Sequence, residues 1–147
     1  IVATPDLLAL TPQLNSLPQL AALPWLSLST FYRTEVTLKN VHTGISQTIT
    51  IHPRLSSDSI YAIHKAALSG LGVGLISSWV TEDDLATGRL QEPLPEWQAT
   101  PLPVWLTYPW ASYYPARMRH FLTMIKQVMP TLTGTRPAIT DPPAQRN

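Results

Sequence analysis

An α/β layered architecture is the fold class that this sequence predicts, and three observations carry it. Short apolar runs of strand type alternate with short segments of helical periodicity, an alternating hairpin interrupts them near residue 40, and glycine or proline stands at most junctions. Fifteen prolines against six glycines keep every element short.

Ile1-Val2-Ala3 reads as a short strand, halted by Thr4-Pro5-Asp6. Between residues 7 and 23 leucines recur, but Pro12 and Pro18 interrupt them, so helical turns and loop are expected in place of one helix. Residues 25–30 are apolar and then hydroxyl-bearing: a buried strand ending in polar groups at Ser29-Thr30. Residues 34–39 and 47–51 each alternate with period two, and His42-Thr43-Gly44 supplies a turn between them, which predicts an antiparallel hairpin with one face buried. Ser56 and Ser57 are placed to cap the next helix and Asp58 suits its positive end. Ile60, Ile63, Ala67 and Leu71 share one face of that helix, and Gly70 ends it. Residues 73–76 form a buried strand ending at Ser77-Ser78. Glu82-Asp83-Asp84 opens a further short helix, stopped by Gly88; residues 90–94 are a strand, 95–103 a proline-rich passage, and 104–108 one more strand. Pro115 suits a first helical turn, after which Met118, Phe121, Leu122, Ile125 and Met129 make an apolar stripe. Residues 131–147 are too polar and proline-rich to bury surface and are expected to be a flexible tail.

The 147 residues suffice for one domain with a real core, or for one lobe and part of another. A net charge of +1 gives no reason to expect a nucleic-acid surface within them. Without cysteine there is no disulfide and no thiolate metal site, which fits a reducing cytoplasm. No apolar run approaches the roughly 20 residues of a membrane span, and no signal peptide opens the chain. Opening on apolar Ile1-Val2-Ala3 without a methionine, the chain is expected to begin partway through a longer protein.

Most enzyme and metal chemistry lacks a local signature. His42, His52, His64 and His120 are scattered without metal-pair spacing, and no nucleophile elbow of the G-x-S-x-G type occurs. Gly70-Leu71-Gly72-Val73-Gly74 follows a helix and leads into a strand, the reverse of a dinucleotide fingerprint, so it reads as a helix C-cap and not as a phosphate loop. Glu82-Asp83-Asp84 is expected to be a solvated set of dipole partners, His64 a half-buried packing residue, and the five tryptophans core or interface anchors. His52, beside Pro53 at a strand end, is placed near the ligand-binding edge described next.

Crossover connections gather strand C-terminal ends and helix N-termini on one rim of such a sheet, where ligands bind. That rule collects Ser29-Thr30, Ser56-Ser57-Asp58 and Ser77-Ser78 on a single edge. Hydroxyls beside free helix N–H groups form a neutral donor array suited to a carboxylate or similar small polar anion.

The stretch Leu55-Ser56-Ser57-Asp58-Ser59-Ile60 through Ala66-Ala67-Leu68-Ser69-Gly70-Leu71-Gly72-Val73-Gly74-Leu75-Ile76 resembles the effector domain of LysR-type transcriptional regulators. Asp84-Leu85-Ala86-Thr87-Gly88-Arg89-Leu90 with Leu94-Pro95-Glu96-Trp97 is similar to that family's D-L-x-x-G-x-L-x-x-x-L-P-x-W segment. Leu102 to Pro109 is similar to its closing strand, and Arg117 to Ile125 to its last helix. The resemblance covers residues 1–130. It implies a fold like that of periplasmic binding proteins of the second type, two α/β lobes joined by crossing strands with the ligand between them. On that pattern residues 1–97 are the second lobe with the first hinge strand, and residues 98–130 are the second hinge crossing and the C-terminal part of the first lobe. Ligand-facing positions then fall at Ser29, Thr30, Phe31, Ser56, Ser57, Asp58 and Ser77, where Ser77 replaces a proline common in the family. The resemblance further implies a small-molecule effector, no cofactor, no catalysis, self-association as dimer or tetramer, a cytoplasmic location, and DNA contact only through a winged helix-turn-helix outside this sequence. A solute-binding protein serving a transporter is the alternative, sharing the fold but exported.

Overall fold

The computed structural model describes residues 1–135. The described residues divide into two compact units, Ile1–Pro101 and a second that begins at Leu102. The first is α/β, as expected. Its elements run α1 (Pro5–Ala9), α2 (Leu17–Ala21), β1 (Trp25–Leu28), β2 (Glu35–Asn40), β3 (Ser46–Thr50), β4 (Pro53–Ser57), α3 (Ile60–Leu68), β5 (Val73–Gly74), α4 (Ser78–Ala86) and β6 (Trp97–Ala99).

Two three-stranded sheets organise this unit. One is parallel in the order β4-β1-β5, with Ser27 opposite Ser56 and Leu28 opposite Ser57 on one side, and Leu26 opposite Gly74 on the other. The second is antiparallel in the order β3-β2-β6. Successive β1 side chains point to opposite faces, so the strand feeds two cores. Trp25 packs with Leu20, Val36, Leu38, Ile49 and Val73 in one, and its indole N–H donates to the Leu20 carbonyl at 3.0 Å. Leu26 packs with Val2, Ile63, Ala67, Ile76 and Leu90 in the other, beneath α3.

The hairpin of β2 and β3 forms as its alternation predicts: Val36, Leu38 and Ile49 face inward, while Glu35, Thr37 and Lys39 stay exposed. Its turn is organised by Asn40, whose Oδ1 accepts from the N–H groups of His42 and Thr43, each at 3.0 Å, and by Gly44 at φ +73°. Gly70 ends α3 as expected. At φ +71° it donates to the Ala67 carbonyl, and Leu71 N–H reaches back to Ala66, which together form a Schellman closure. Leu71 consequently lies past the reversal and is exposed, not part of the buried face.

Several expectations are corrected. Ser56 and Ser57 do not cap α3; they end β4, a strand not foreseen because Pro53 opens it directly after β3. The cap is Ser59, whose Oγ accepts from Ala62 N–H at 3.4 Å, and Asp58 precedes it, outside the first turn. The strand expected over 73–76 is confined to Val73–Gly74, and residues 1–3 and 90–94 contribute isolated bridges only, Val2 with Gly74 and Ala3 with Gln91. α4 begins at Ser78, not at Glu82, because Ser77 in extended conformation starts it, so the three acids fall inside the helix and Asp84 is buried. Within the proline-rich passage Trp97–Ala99 pairs with β2. Among the tryptophans Trp25 is fully buried and Trp97 half-buried, whereas Trp79, Trp105 and Trp110 are exposed.

In the second unit residues 104–108 form no strand; these residues are exposed and have no hydrogen-bonded neighbour among the described residues, and an extended run without a partner is not a stable strand. α5 (Ala116–Val128) follows Pro115, which stands one position before the helix and is succeeded at the other end by a 3-10 turn at Met129–Thr131. Leu122 is its buried residue, Met118, Ile125 and Met129 are half-buried, and Phe121 is exposed. The tail expected over 131–147 lies, from residue 136 on, outside the described residues. Among the described residues no helix is long and apolar enough to cross a membrane.

Candidate ligand-binding site

Parallel pairing fixes which end of each strand meets which. Because β1, β4 and β5 all run the same way, the residues that follow them emerge on one edge. Ser29 and Ser57 are directly joined there, Ser29 N–H donating to the Ser57 carbonyl at 2.9 Å. Thr30 and Asp58 follow on the same edge, both exposed. Ser77 lies three residues beyond the end of β5, on the opposite side of β1, and begins α4 without using its hydroxyl as a cap. Phe31 turns back, its N–H donating to the Leu28 carbonyl at 3.0 Å, and its ring is 59% exposed.

The hydroxyls differ in how far they are engaged. Ser56 Oγ is 2.7 Å from Ser27 Oγ, a cross-strand pair that leaves the buried Ser27 satisfied. Ser57 Oγ accepts from Ser59 N–H at 3.1 Å and keeps its own O–H to donate. Ser29, Thr30 and Ser77 side chains have no hydrogen-bond partner among the described residues. The rim therefore presents four hydroxyl donors above the first turns of α3 and α4.

Three features escaped the reading of the sequence. Tyr61 and Trp79, each the second residue of its helix, form an exposed edge-to-face pair with ring centroids 6.2 Å apart at 79°. His64 of α3 bonds Asp84 of α4, Nε2 to Oδ2 at 2.5 Å, with side chains only 13% and 3% exposed. Arg89 Nη2 approaches the other oxygen, Oδ1, at 2.6 Å, a charge contact off the angle of a proper hydrogen bond. Arg33, four residues past Ser29, swings back onto the rim and donates its Nε–H to the Ser29 carbonyl at 3.0 Å. His52 is corrected: it precedes β4 and so stands at the strand's opposite end, roughly 17 Å of extended chain from the rim. A depression lined by Thr4, Asp6, Leu7, Leu10, Leu68, Ser69 and Gly70 sits at the C-terminal end of α3 and holds none of the expected residues. Among the described residues no His, Asp and Glu cluster could hold a metal.

Tyr32, in the same turn, packs against the first core, and its burial pushes the phenol pKa above its ordinary value of 10.0 by penalising the phenolate. The unfolded chain thus ionises first: stability is full below about pH 10 and is lost as pH rises through the raised pKa. Tyr32→Phe should remove that share of the alkaline loss, seen as a smaller fall in melting temperature between about pH 9 and 11 than the parent shows. Equal falls would place Tyr32 in water.

A profile of the LysR substrate binding domain matches residues 1–130. The chain belongs to that family. HTH-type transcriptional regulator PtxR of Pseudomonas aeruginosa is 29% identical over 126 residues, 86% of this chain and 40% of PtxR. Probable HTH-type transcriptional regulator SinR of Salmonella typhimurium is 30% identical over 83 residues, 56% of this chain and 26% of SinR. This LysR substrate binding domain spans less than half the length of both. Among solved structures, the regulatory domain of AphB from Vibrio vulnificus treated with cumene hydroperoxide superposes with a TM-score of 0.70 at 21% identity, covering 86% of this chain and 62% of that one. The CrgA regulatory domain of Neisseria meningitidis gives 0.52 at 23% identity, covering 86% and 62%. At these identities the likeness concerns the fold of the LysR substrate binding domain.

Proposed function

We propose that this chain is the effector-sensing part of a LysR-type transcriptional regulator, holding a small molecule at the rim of Ser29, Thr30, Phe31, Ser56, Ser57, Asp58 and Ser77. One observation carries the reading: in a LysR substrate binding domain, three parallel strand ends deliver free hydroxyls to a single edge. Residues 1–97 are then the second lobe with the first hinge strand, and residues 98–130 the second crossing and the closing part of the first lobe. The exposure of Val104, Trp105 and Trp110 supports that assignment, since such apolar side chains belong against neighbouring strands.

The mechanism is a population shift. A ligand that contacts both lobes favours one arrangement over the other only by its difference in affinity for the two, and paired domains, as dimer or tetramer, pass that bias to DNA-binding heads outside these residues. The site performs no catalysis, needs no cofactor and works in the cytoplasm. The named regulators among the relatives support this reading over a solute-binding protein of a transport system.

A thermal-shift screen of small metabolites tests it. A true effector stabilises the protein by about 2.7 kcal/mol at a hundredfold excess over Kd. Ser57→Ala and Thr30→Val should each weaken that hit without lowering the melting temperature of the free protein. A hit that binds both variants as before sinks the rim assignment, and reproducible consumption of a compound, lost with a rim hydroxyl, would make the protein an enzyme.

A further inference from the structure

We infer that Arg33 is the anchor for an anionic group of the effector, a carboxylate or a phosphate, so that the molecule sensed is a small organic anion and not a neutral compound. The inference rests on the rim reading above and adds to it a charge and an orientation. Arg33 lies in the loop between β1 and β2, where Phe31 and Tyr32 both donate to the Leu28 carbonyl and turn the chain back over the strand end. That turn brings the Arg33 Nε–H onto the Ser29 carbonyl at 3.0 Å. One guanidinium edge is thereby spent on fixing the group to the rim. Its two terminal nitrogens have no hydrogen-bond partner and no acid within ion-pair distance among the described residues, where the ion pairs are those of Asp84 with His64 and Arg89.

A planar guanidinium held by one N–H presents its remaining donors as a fork, the geometry that carboxylates and phosphates accept in pairs. The surrounding groups fit the same ligand. Ser29, Thr30 and Ser57 can donate to oxygens that Arg33 does not reach, and the exposed Phe31 ring offers an apolar surface two residues away. Asp58 shares the edge but is exposed, so water screens its charge, and it forms no ion pair with Arg33. Pre-bonding to Ser29 also limits the side-chain freedom that binding would otherwise remove.

The test uses the chain as it stands, isotopically labelled on nitrogen, at fixed ionic strength. Sodium benzoate and inorganic phosphate are the probes, with benzamide as the neutral counterpart. The Arg33 Nε–H resonance is assigned by its absence in Arg33→Gln, and melting curves of the free variants check folding. Benzoate or phosphate should move that resonance and raise the melting temperature, benzamide should do neither, and Arg33→Gln should weaken the anion by about tenfold or more. Arg33→Lys, which keeps the charge but loses the fork, should recover only part of the loss. Benzoate alone active identifies the carboxylate, phosphate alone the phosphate. Neither probe moving the resonance, or Arg33→Gln binding as well as the parent, overturns the anchor. If benzamide binds and only Thr30→Val and Ser57→Ala weaken it, the rim stands and the anchor falls. If the anions bind through Arg33 while Thr30→Val and Ser57→Ala change nothing, the anchor stands and the rim reading falls.

Discussion

Gly72→Ala should destabilise the protein by about 3 kcal/mol, although the substitution adds a single methyl group and Gly72 needs no unusual backbone angle. A Cβ built there would lie 2.5 Å from the Pro24 carbonyl oxygen and 3.1 Å from Leu26 Cγ. Leu26 could shift, but the carbonyl cannot: it accepts from Val73 N–H at 2.7 Å, the bond that brings β5 onto β1. Only two residue pairs hold those strands together, so there is little pairing to absorb a displacement. Gly88→Ala provides the contrast. That glycine has φ +74° with open space around its missing Cβ, so alanine there meets strain alone and should cost about 1 kcal/mol. Urea unfolding of both variants decides the matter. A midpoint for Gly72→Ala no lower than that of Gly88→Ala would mean that β1 and β5 do not approach as closely as described. Since β5 leads to Ser77, the same variant should also weaken whatever the rim binds.

What could be read from the sequence is what local chemistry controls. The hairpin declared itself through alternation on both strands, and Gly70 through a helix ending where only a left-handed residue fits. The parallel edge followed from the order of apolar runs. Where the reading slipped, the deciding contact was remote. Three candidate hydroxyls precede α3 within four residues, and only the bond from Ala62 selects Ser59 as the cap. Ser29-Thr30 and Ser77-Ser78 were legible as strand endings, yet Ser56, expected as a helix cap, lies in β4 and is occupied by Ser27, a residue 29 positions away. Arg33 was not singled out, because nothing in its neighbours announces the turn that returns it to Ser29. Residues 104–108 have the composition of a strand, but strand formation depends on a neighbour to bond with, which composition does not report.

Asp84 is the plainest case of a local signal overruled, and removing its carboxylate should cost about 3 kcal/mol or more. In a run of three acids on a short helix it resembled Glu82 and Asp83, both of which are exposed. Its side chain instead lies 3% exposed between α4 and α3, bonded to His64, with Arg89 approaching from the loop after α4. Asp84→Ala would leave the imidazole without its partner in a nearly closed site, and the two helices would lose the polar contact that sets their spacing. Arg89 is 62% exposed, so water can take its place beside Oδ1 from that open side, and Arg89→Ala should cost clearly less than Asp84→Ala, about 1 kcal/mol. Replacing both buried partners, His64→Leu with Asp84→Leu, should recover most of the loss, because the penalty arises from the orphaned group and not from the absence of the pair. A double-mutant cycle followed by urea unfolding reads the coupling directly. An Asp84→Ala variant as mild as Arg89→Ala would show that the carboxylate is in contact with solvent. Since α3 and α4 both begin at the rim, a large coupling carries a second consequence: loosening this contact should weaken effector binding from a position that touches no ligand.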